Sequence, residues 1–271
     1  KYSTWFPTLK KNSPNTLWTD SIESMVQVGG DYVIDTAEQL ANLAYLVNSG
    51  MIDTKGKVFR VRDAIDLSNK LWIPIGTDEY AFEGTFEGGG YSIFNMTVDG
   101  NAVEKSGIDK LNYGGLFGVV KNAKIANIGI MSPIVRNVNY ATSVAVKATN
   151  TLITNVYTEK DGSNSCRIVG DLKAGGLVCE LIDSKDQSNT RLGLHKSYNN
   201  VPVEANTKVI GKIQTVGALV ATLSNSSIAN CYNGENGAVT ISGSGFGETI
   251  MVVGSIGTGS DDSILTNVFN L

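Results

Sequence analysis

A degenerate repeat occurs five times in the C-terminal half of the sequence, and each copy ends about 13 residues after its start. The copies begin at Gly115, Thr142, Gly176, Gly217 and Gly254, so successive starts lie 27, 34, 41 and 37 residues apart. Repeats of this length are typical of proteins whose units stack, because one unit alone cannot bury its apolar face. The repeat therefore predicts a continuous core shared between neighbouring units.

The copies share an internal order of strand, polar corner, second strand and variable segment. The corner holds Asn or Asp in four copies, at Asn122, Asn150, Asn225 and Asp261. A column after the second strand holds Asn in four copies and Lys in the third, at Asn127, Asn155, Lys196, Asn230 and Asn267. Asn and Asp tolerate left-handed backbone, and amides stacked at strand spacing can bond to one another. The pattern favours an asparagine ladder, with a sugar-binding row as the alternative.

A large apolar side chain follows the start of every copy, which we interpret as an inward-facing core column. Its members are Phe117, Val144, Val178, Leu219 and Ile256. The short strands are joined by single-residue corners and lack the Asn-Gly or Asp-Gly turns that a propeller blade would use. The expected fold is therefore all-β, a right-handed parallel β-helix, also called a β-solenoid.

One helix is predicted near residues 37–48. Thr36 and Gln39 form a capping box, apolar residues follow at helical spacing, and Gly50 suits the left-handed position after the helix. We expect this helix to cap the N-terminal end and hide its edge strands.

The chain divides into a lead-in and one domain. Residues 1–30 are turn-rich and are interpreted as an extended lead-in. Residues 31–271 are interpreted as a single β-helix domain, with the cap helix and first coils in 31–100 and the repeat coils in 101–271.

Composition excludes several classes of function. The net charge is −4 and no run of Lys and Arg occurs, so the electrostatic signature of a nucleic-acid-binding protein is absent. No apolar run reaches 18 residues, so no membrane-spanning segment is expected.

Cys166, Cys179 and Cys231 form no CxxC pair, and the two in apolar runs, Cys179 and Cys231, are interpreted as buried. The single histidine, His195, is interpreted as a surface or turn residue without a metal-ligand pattern.

The N-terminal half resembles bacterial cell-surface proteins that carry GLUG-type repeats. The resemblance lies in the order of DYVIDTAEQLANLAYLVNSG, VRDAIDLSN, WIPIG, FEGTFEGGGYSIFNMTV and GGLFG, and it covers about residues 30–130. Glu87 and Gly89 stand where this family's pattern has Asp and Asn, and the last two copies lack the full GGLFG. The resemblance implies an adhesin with a parallel β-helix fold on the cell surface, and no catalytic motif.

Two sets of residues are candidates for ligand binding. Tyr157, Tyr198 and Tyr232 form an aromatic column two residues past the asparagine column. Repeats often stack alike side chains inside, which favours a core role, whereas an outward column would offer ring faces to sugars. The second set is acidic and comprises Glu180, Asp183 and Asp186.

No cofactor, metal or catalytic residue is expected. A calcium ion needs six to eight converging oxygens, and the acidic pairs Asp183/Asp186 and Asp261/Asp262 supply few. A hydrolase would need two carboxylates across a groove, and the spacing of Glu180, Asp183, Asp186 and Glu204 is not specific for one.

The favoured function is a non-enzymatic adhesion or binding module that recognises a glycan or a protein on another surface. A polysaccharide lyase or glycoside hydrolase and a structural spacer are the alternatives. The chain is expected to be a monomer or part of a longer extracellular chain, anchored by a segment outside this sequence. Ligand specificity is expected in the segments that do not repeat, around residues 158–175, 183–194, 199–214 and 233–251.

Overall fold

The computed structural model describes residues 16–162, 165–187, 190–207, 212–243, 246–250, 253–256 and 262–271. Within these ranges the helices are α1, Ala37–Asn48, and α2, Gly100–Lys105. The strands, numbered along the chain, are β1 Val26–Val28, β2 Asp31–Ile34, β3 Val58–Val61, β4 Ile65–Asp66, β5 Thr85–Glu87, β6 Ser92–Phe94, β7 Thr97–Asp99, β8 Tyr113–Gly114, β9 Phe117–Lys121, β10 Lys124–Met131, β11 Ile134–Ala141, β12 Ala145–Thr149, β13 Leu152–Glu159, β14 Arg167–Gly175, β15 Val178–Ile182, β16 Gly193–His195, β17 Tyr198–Asn199, β18 Val203–Thr207, β19 Ile213–Gly217, β20 Val220–Ser224, β21 Ser227–Asn233, β22 Val239–Gly243, β23 Phe246–Ile250, β24 Val253–Ile256 and β25 Ile264–Asn270.

In the described ranges the strands build three sheets, and the chain visits them in a fixed order. The first sheet contains β1 to β6, β10, β13, β16, β17, β21 and β25. The second contains β7, β8, β11, β14, β18, β19, β22 and β23, and the third contains β9, β12, β15, β20 and β24. From β10 onward each repeat unit supplies the first, second and third sheet in turn. Among the named strands only β1 and β2 pair antiparallel, so the predicted all-β character is confirmed and the sheets are mainly parallel.

The core lies between the sheets and is continuous from unit to unit. In the third sheet, Phe117, Ala145, Val178 and Val220 are aligned and fully buried. The aligned residue of the last strand is Val253.

The predicted core column was therefore wrong in register at three places. Val144 and Leu219 are buried but precede the aligned residues by one position, and Ile256 follows Val253 by three. Because apolar residues are adjacent here, the sequence does not show which of them faces the core. In the fifth copy the aligned strand begins at Val253, before the glycine that we took as the start of the repeat. The structure describes the backbone of Ile256 but not the burial of its side chain.

The asparagine column occupies left-handed backbone in every copy. Backbone φ is 58° at Asn127, 53° at Asn155, 49° at Lys196, 55° at Asn230 and 51° at Asn267. This conformation is costly for most L-residues and is tolerated best by Gly, Asn and Asp. The corner column has the same property, with φ of 50° at Asn122, 49° at Asn150, 47° at Asp183 and 44° at Asn225. Asp183 thus fills the corner of the third copy, while Asp261 lies outside the described residues.

The side chains of these columns bond between units, which confirms the predicted ladder. Asn155 Nδ2 donates to Asn127 Oδ1 at 2.8 Å, and Asn150 Nδ2 donates to Asn122 Oδ1 at 2.7 Å. Further on, Asn267 Nδ2 donates to Asn230 Oδ1 at 3.1 Å. Each amide therefore points along the stack toward the preceding unit.

A second, buried ladder escaped the sequence interpretation. Asn199 Nδ2 donates to Asn233 Oδ1 at 3.0 Å, and Asn233 Nδ2 donates to Asn270 Oδ1 at 2.8 Å. The signal was present as the Asn that ends KSYN, NCYN and NVFN. The first two units carry Ile130 and Thr158 in this register, which obscured the column.

The predicted helix is confirmed as α1. Thr36 Oγ1 accepts from the Gln39 N–H at 3.2 Å, and Gln39 Oε1 accepts from the Asp35 N–H at 2.7 Å. Leu40 and Leu43 are fully buried in the same core as the strands. α1 contacts β2 at the β1 end of the first sheet.

A second helix, α2, was missed. It has six residues, and Asp99 caps it by accepting from the N–H of Asn101 at 3.1 Å and of Ala102 at 3.2 Å. The helix is too short to show an apolar period. Neither helix has the length and apolar character needed to cross a bilayer, and the described ranges contain no other candidate.

The predicted lead-in is described from residue 16 onward. There Leu17 forms a bridge to Leu71 and is fully buried, and Trp18 is 7% exposed. Leu17 and Trp18 therefore belong to the common core, whereas most of residues 20–30 are exposed and β1 pairs with β2 at the sheet edge. Residues 1–15 lie outside the described part of the chain.

Replacing Asn155 separates the two contributions of the ladder. Asn155→Gly removes the side-chain bond but keeps the left-handed backbone accessible, so we expect a loss of about 1 kcal/mol. Asn155→Ala adds the left-handed penalty, so it should cost a further ~1 kcal/mol or more. Urea denaturation of both variants measures the difference, and equal free energies of unfolding would contradict the assignment.

Candidate functional site

In the second sheet, two long strands, β11 and β14, each pair with two shorter strands in succession, and the change of partner falls at the same height in both. The first half of β11 pairs with β7 and its second half with β8, because α2 and its flanking loop are inserted between β7 and β8. In the same way β14 pairs first with β18 and then with β19. The register between β11 and β14 shifts here, between Val135 and Tyr140. The segment between β7 and β8 and the break between β18 and β19 therefore lie beside the same bend of the sheet.

A cleft of about 380 Å³ lies at this bend. Among the described residues its lining is polar except for one leucine, and consists of Asn101, Lys110, Asn137, Asn139, Asp171, Leu172, Thr207 and Lys212. An amide side chain offers both donors and an acceptor, which suits a ligand rich in hydroxyl groups. The volume falls within the usual range of small-ligand sites.

One carboxylate organises the wall of the cleft. Besides capping α2, Asp99 accepts from Asn137 Nδ2 and from Arg136 Nε, each at 2.8 Å. Burial alone would raise the pKa of Asp99, but the hydrogen bonds from Asn137, the Ala102 backbone and Arg136 outweigh burial and lower it. Asp99 therefore stays ionised and fixes the start of α2 against β11.

Close packing at the same wall fixes Asn137. A Cβ added to Gly100 would lie 2.0 Å from the Asn137 carbonyl oxygen, so only glycine allows this approach. Asn137 has φ of 58°, which marks a further left-handed bend. Next to it, Asn139 Nδ2 donates to Asn112 Oδ1 at 2.7 Å.

Four residues, which we call the lysine–tyrosine corner, include two that directly follow lining residues in the sequence. The four are Tyr113, Tyr140, Lys147 and Lys173. Tyr140 follows Asn139, and Lys173 follows Leu172. The rings of Tyr113 and Tyr140 meet edge to face with centroids 5.7 Å apart. Lys147 Nζ lies 4.9 Å from the Tyr113 ring centroid, and Lys173 Nζ lies 5.8 Å from that of Tyr140.

Both lysines of the corner are paired with carboxylates. Lys147 Nζ lies 2.9 Å from Asp78 Oδ1, and Tyr113 Oη donates to Asp78 Oδ2 at 2.7 Å. Burial would lower the pKa of Lys147, but its bonds to Tyr113 and Asp78 outweigh burial and raise it. Lys173 near the end of β14 pairs with Glu180 of β15, the next strand along the chain. The corner is therefore electrically balanced.

Glu180, one of the predicted ligand-binding residues, is thus engaged by Lys173, and its side chain is 15% exposed. Asp183 is exposed and accepts from Asn225 Nδ2 at 3.0 Å as part of the corner column. Neither residue lines the cleft. A ligand-binding role for these two carboxylates stays a prediction.

Asp186 belongs to a local network with His195. Its Oδ1 accepts from the Leu192 N–H at 3.0 Å and lies 3.3 Å from His195 Nε2. His195 is 0% exposed, its Nε2 lies 2.6 Å from the Leu192 carbonyl, and Arg191 Nη2 lies 3.2 Å from Nδ1. The interpretation of His195 as a surface or turn residue is therefore wrong. Leu194 of β16 fills the core, and His195, on the opposite face of the strand, is buried by these contacts with the preceding segment.

The predicted aromatic column is aligned as expected. Tyr157, Tyr198 and Tyr232 occupy one register, followed by Phe269. The rings stack nearly parallel, with centroids 5.2 Å and 4.8 Å apart and planes 11° and 8° from parallel. The three tyrosines are half-buried, and Phe269 is 57% exposed.

The favoured core role of this column is wrong. Val156 and Cys231, which precede Tyr157 and Tyr232, fill the core, so the tyrosines face outward. The left-handed residue two positions before each tyrosine interrupts the alternation of inward and outward side chains, so the sequence did not show this direction. Because the rings cover one another, both faces of Tyr198 are occupied and only its edge is accessible. Stacking of sugars on the face of Tyr198 is therefore blocked, and binding by the column at its edges stays a prediction.

The stack of rings ends at Tyr157, because the preceding unit has Gly129 in the same register. A Cβ on Gly129 would lie 2.4 Å from Cζ of Tyr157, so the ring covers this glycine. Tyr157 Oη also lies 3.0 Å from Ser92 Oγ. Tyr198 Oη donates to Glu159 Oε2 at 2.9 Å, and burial together with this bond raises the pKa of Tyr198.

The cysteines behave as small apolar residues. Cys179 is 0% exposed and packs with Val146 and Ala221 beneath the two corner tyrosines. Cys231 is 1% exposed, and burial raises the pKa of its thiol to about 11. Both predicted burials are confirmed. Cys166 is half-buried.

The described residues contain no group of three or more His, Cys, Asp or Glu side chains placed to hold a metal ion. Of the acidic pairs considered for calcium, Asp262 lies 3.4 Å from Lys185 Nζ, and Asp261 is outside the described ranges.

Substitutions at Tyr198 test its structural role. Tyr198→Ala should cost roughly 2–3 kcal/mol of unfolding free energy, because it opens a gap between two stacked rings. Tyr198→Phe keeps the stack and should cost about 1 kcal/mol at pH 7, from the lost bond to Glu159.

The raised pKa of Tyr198 adds a pH dependence. Since the folded protein favours the neutral phenol, this contribution to stability is complete below about pH 10, the usual pKa of Tyr, and is lost above it. The difference in unfolding free energy between wild type and Tyr198→Phe, measured by denaturant titration, should therefore decrease as pH rises above 10. A constant difference would contradict this account.

Thiol accessibility follows from burial. We expect Cys166 alone to react readily with a thiol reagent in the native protein, because it is half-buried whereas Cys179 and Cys231 are buried. Burial raises the pKa of all three thiols, so accessibility sets the difference between them. Denaturant should release the other two. Rapid labelling of more than one thiol under native conditions would show that the core is open there.

Comparison with known proteins gives one structural likeness and no family. No protein-family model and no curated protein matches this sequence. The crystal structure of a protein from Bacteroides ovatus, named as a putative immunoglobulin A1 protease, is similar with a TM-score of 0.62 and 16% identity. The match covers 89% of this chain and 75% of that one. At this identity the likeness shows a shared fold.

Proposed function

We propose that this chain is a non-enzymatic binding module of a bacterial cell-surface protein and that its polar cleft recognises a glycan. The single observation that carries the proposal is the cleft of about 380 Å³ at the bend of the second sheet. It combines amide side chains on a rigid sheet with residues from two inserted segments. Surface segments held by a rigid scaffold are where binding functions concentrate.

The fold we propose is a right-handed parallel β-helix. The regular order of the three sheets and the parallel pairing of equivalent strands support it. Parallel strands of one sheet joined by a crossover are right-handed in almost all proteins, which supports the hand. In this arrangement α1 would cap the N-terminal end, which agrees with its burial beside β2.

A location outside the cell is supported by two observations. The ordered motifs between residues 30 and 130 resemble GLUG-type surface proteins. The B. ovatus protein is named for immunoglobulin A1, a target outside the cell. We propose that a segment outside this sequence anchors the chain, which acts as a monomer or as part of a longer surface protein.

The state of the reactive side chains supports a role without catalysis. The four carboxylates considered for hydrolysis each have a structural partner: Lys173 for Glu180, Asn225 for Asp183, the Leu192 N–H for Asp186 and Ser242 for Glu204. The thiols of Cys179 and Cys231 are buried with raised pKa values. A nucleophilic cysteine needs an accessible thiolate.

A glycan array with wild-type protein and a cleft variant tests the proposal. Asn101→Ala combined with Asn139→Ala removes two amides from the cleft and should weaken binding of the selected glycan at least tenfold. The control is Asn236→Ala, an exposed asparagine in a turn outside the cleft. Circular dichroism should show all three proteins equally folded.

The alternatives give different results. Binding that survives the double variant would place the site elsewhere. Cleavage of any polysaccharide on the array would favour the lyase or hydrolase alternative. A folded protein that binds no glycan and no cell surface would favour a structural spacer.

A further inference from the structure

We infer that the ligand of the cleft is an extended glycan that carries carboxylate groups, such as a chain of uronic acids. This inference deepens the proposed glycan-binding function and rests on it. It is drawn from the charges that line the cleft, their distribution over the two inserted segments, and the pairing of the strands around them.

The cleft has the opposite charge from the chain as a whole. Its described lining residues include Lys110 and Lys212 against one carboxylate, Asp171, in a protein with a net charge of −4. Both lysines are exposed, and Asp171 is half-buried. The neighbouring corner adds no net charge, because Lys147 and Lys173 are each paired. The lysines of the cleft therefore provide a local positive potential, which favours an anionic ligand.

The two lysines come from different segments and are far apart along the stack. Lys110 precedes β8 and Lys212 precedes β19, and the strands β11 and β14 lie between β8 and β19. Three strand spacings amount to about 14 Å. Charges separated in this way suit a chain with carboxylates at intervals better than a single small anion.

The lining favours a sugar over an acidic peptide. Peptides commonly bind by adding a strand to a free sheet edge or by placing apolar anchors in pockets. Here β11 and β14 are paired on both sides, and Leu172 is the one apolar side chain among the described residues that line the cleft. Asn101, Asn137 and Asn139 instead present groups that bond hydroxyls.

The experiment compares two probes with the same sugar chain, one charged and one neutralised by a methyl group on each carboxyl. Binding of a glucuronic acid hexamer and of its methyl ester is measured by calorimetry at low and high salt. We expect the acid form to bind at least tenfold more tightly than the ester and to weaken with salt. Lys110→Gln and Lys212→Gln should each weaken binding of the acid form about tenfold, while Asp171→Asn should strengthen it severalfold.

The matched controls are Lys121→Gln and Lys124→Gln. Both lysines are exposed on the third and first sheets and are outside the cleft, so these variants change net charge equally and should bind the acid form as wild type does. An equal effect of all four lysine variants would show attraction by overall charge and overturn the inference.

Other results overturn the inference in distinguishable ways. Equal binding of acid and ester would remove the carboxylate from recognition, and an oligoglutamate bound as tightly with the same lysine dependence would make the ligand a peptide. No binding of the acid hexamer would also overturn it. In each case the array with Asn101→Ala/Asn139→Ala decides separately whether the cleft binds another glycan.

Discussion

The structure depends on a residue with left-handed backbone that recurs in each unit and is asparagine in four of the five. At Asn127, Asn155, Asn230 and Asn267 the backbone turns at positive φ, and neighbouring amides bond where two asparagines follow one another. An aliphatic residue would meet the cost of the left-handed region, and glycine would lose the amide bond. Lys196 accepts the same φ in the third unit without an amide, so the turn itself is the stricter requirement. Equivalent turns keep equivalent strands aligned, and the parallel sheets follow from this alignment.

The sequence predicted features that depend on local chemistry. The cap of α1, the asparagine columns and the tyrosine register all follow from residue types that have strong backbone or stacking preferences. The core register was less accessible, since Val144 and Ala145, or Leu219 and Val220, are neighbours of equal apolar character. The short helix α2 shows no apolar period, and the burial of His195 depends on how the irregular segment before β16 folds over it. Because distant segments line the cleft, it could be located only in part: residues 158–175 and 199–214 were named as candidate segments, whereas Asn101 and Lys110 were not.

The side chains that repeat are largely used by the stack itself. Tyrosine faces cover one another, buried thiols fill the core, and amides bond between units. The segment between β7 and β8 escapes this requirement because it leaves the second sheet. The second sheet is interrupted at the same level between β18 and β19. A rigid repeated frame with two variable segments can therefore change ligand specificity without changing its core.

Distance measurement across several units tests the stacking most directly. Lys121 and Ser224 are separated by 103 residues in sequence but share one register through Thr149 and Ile182. With spin labels at Lys121→Cys and Ser224→Cys, in a Cys166→Ser background that leaves the buried thiols unlabelled, electron paramagnetic resonance should report a separation near three strand spacings, about 14 Å. A separation more than twice as large would mean that the units do not stack as successive layers, and the account of the fold would be wrong.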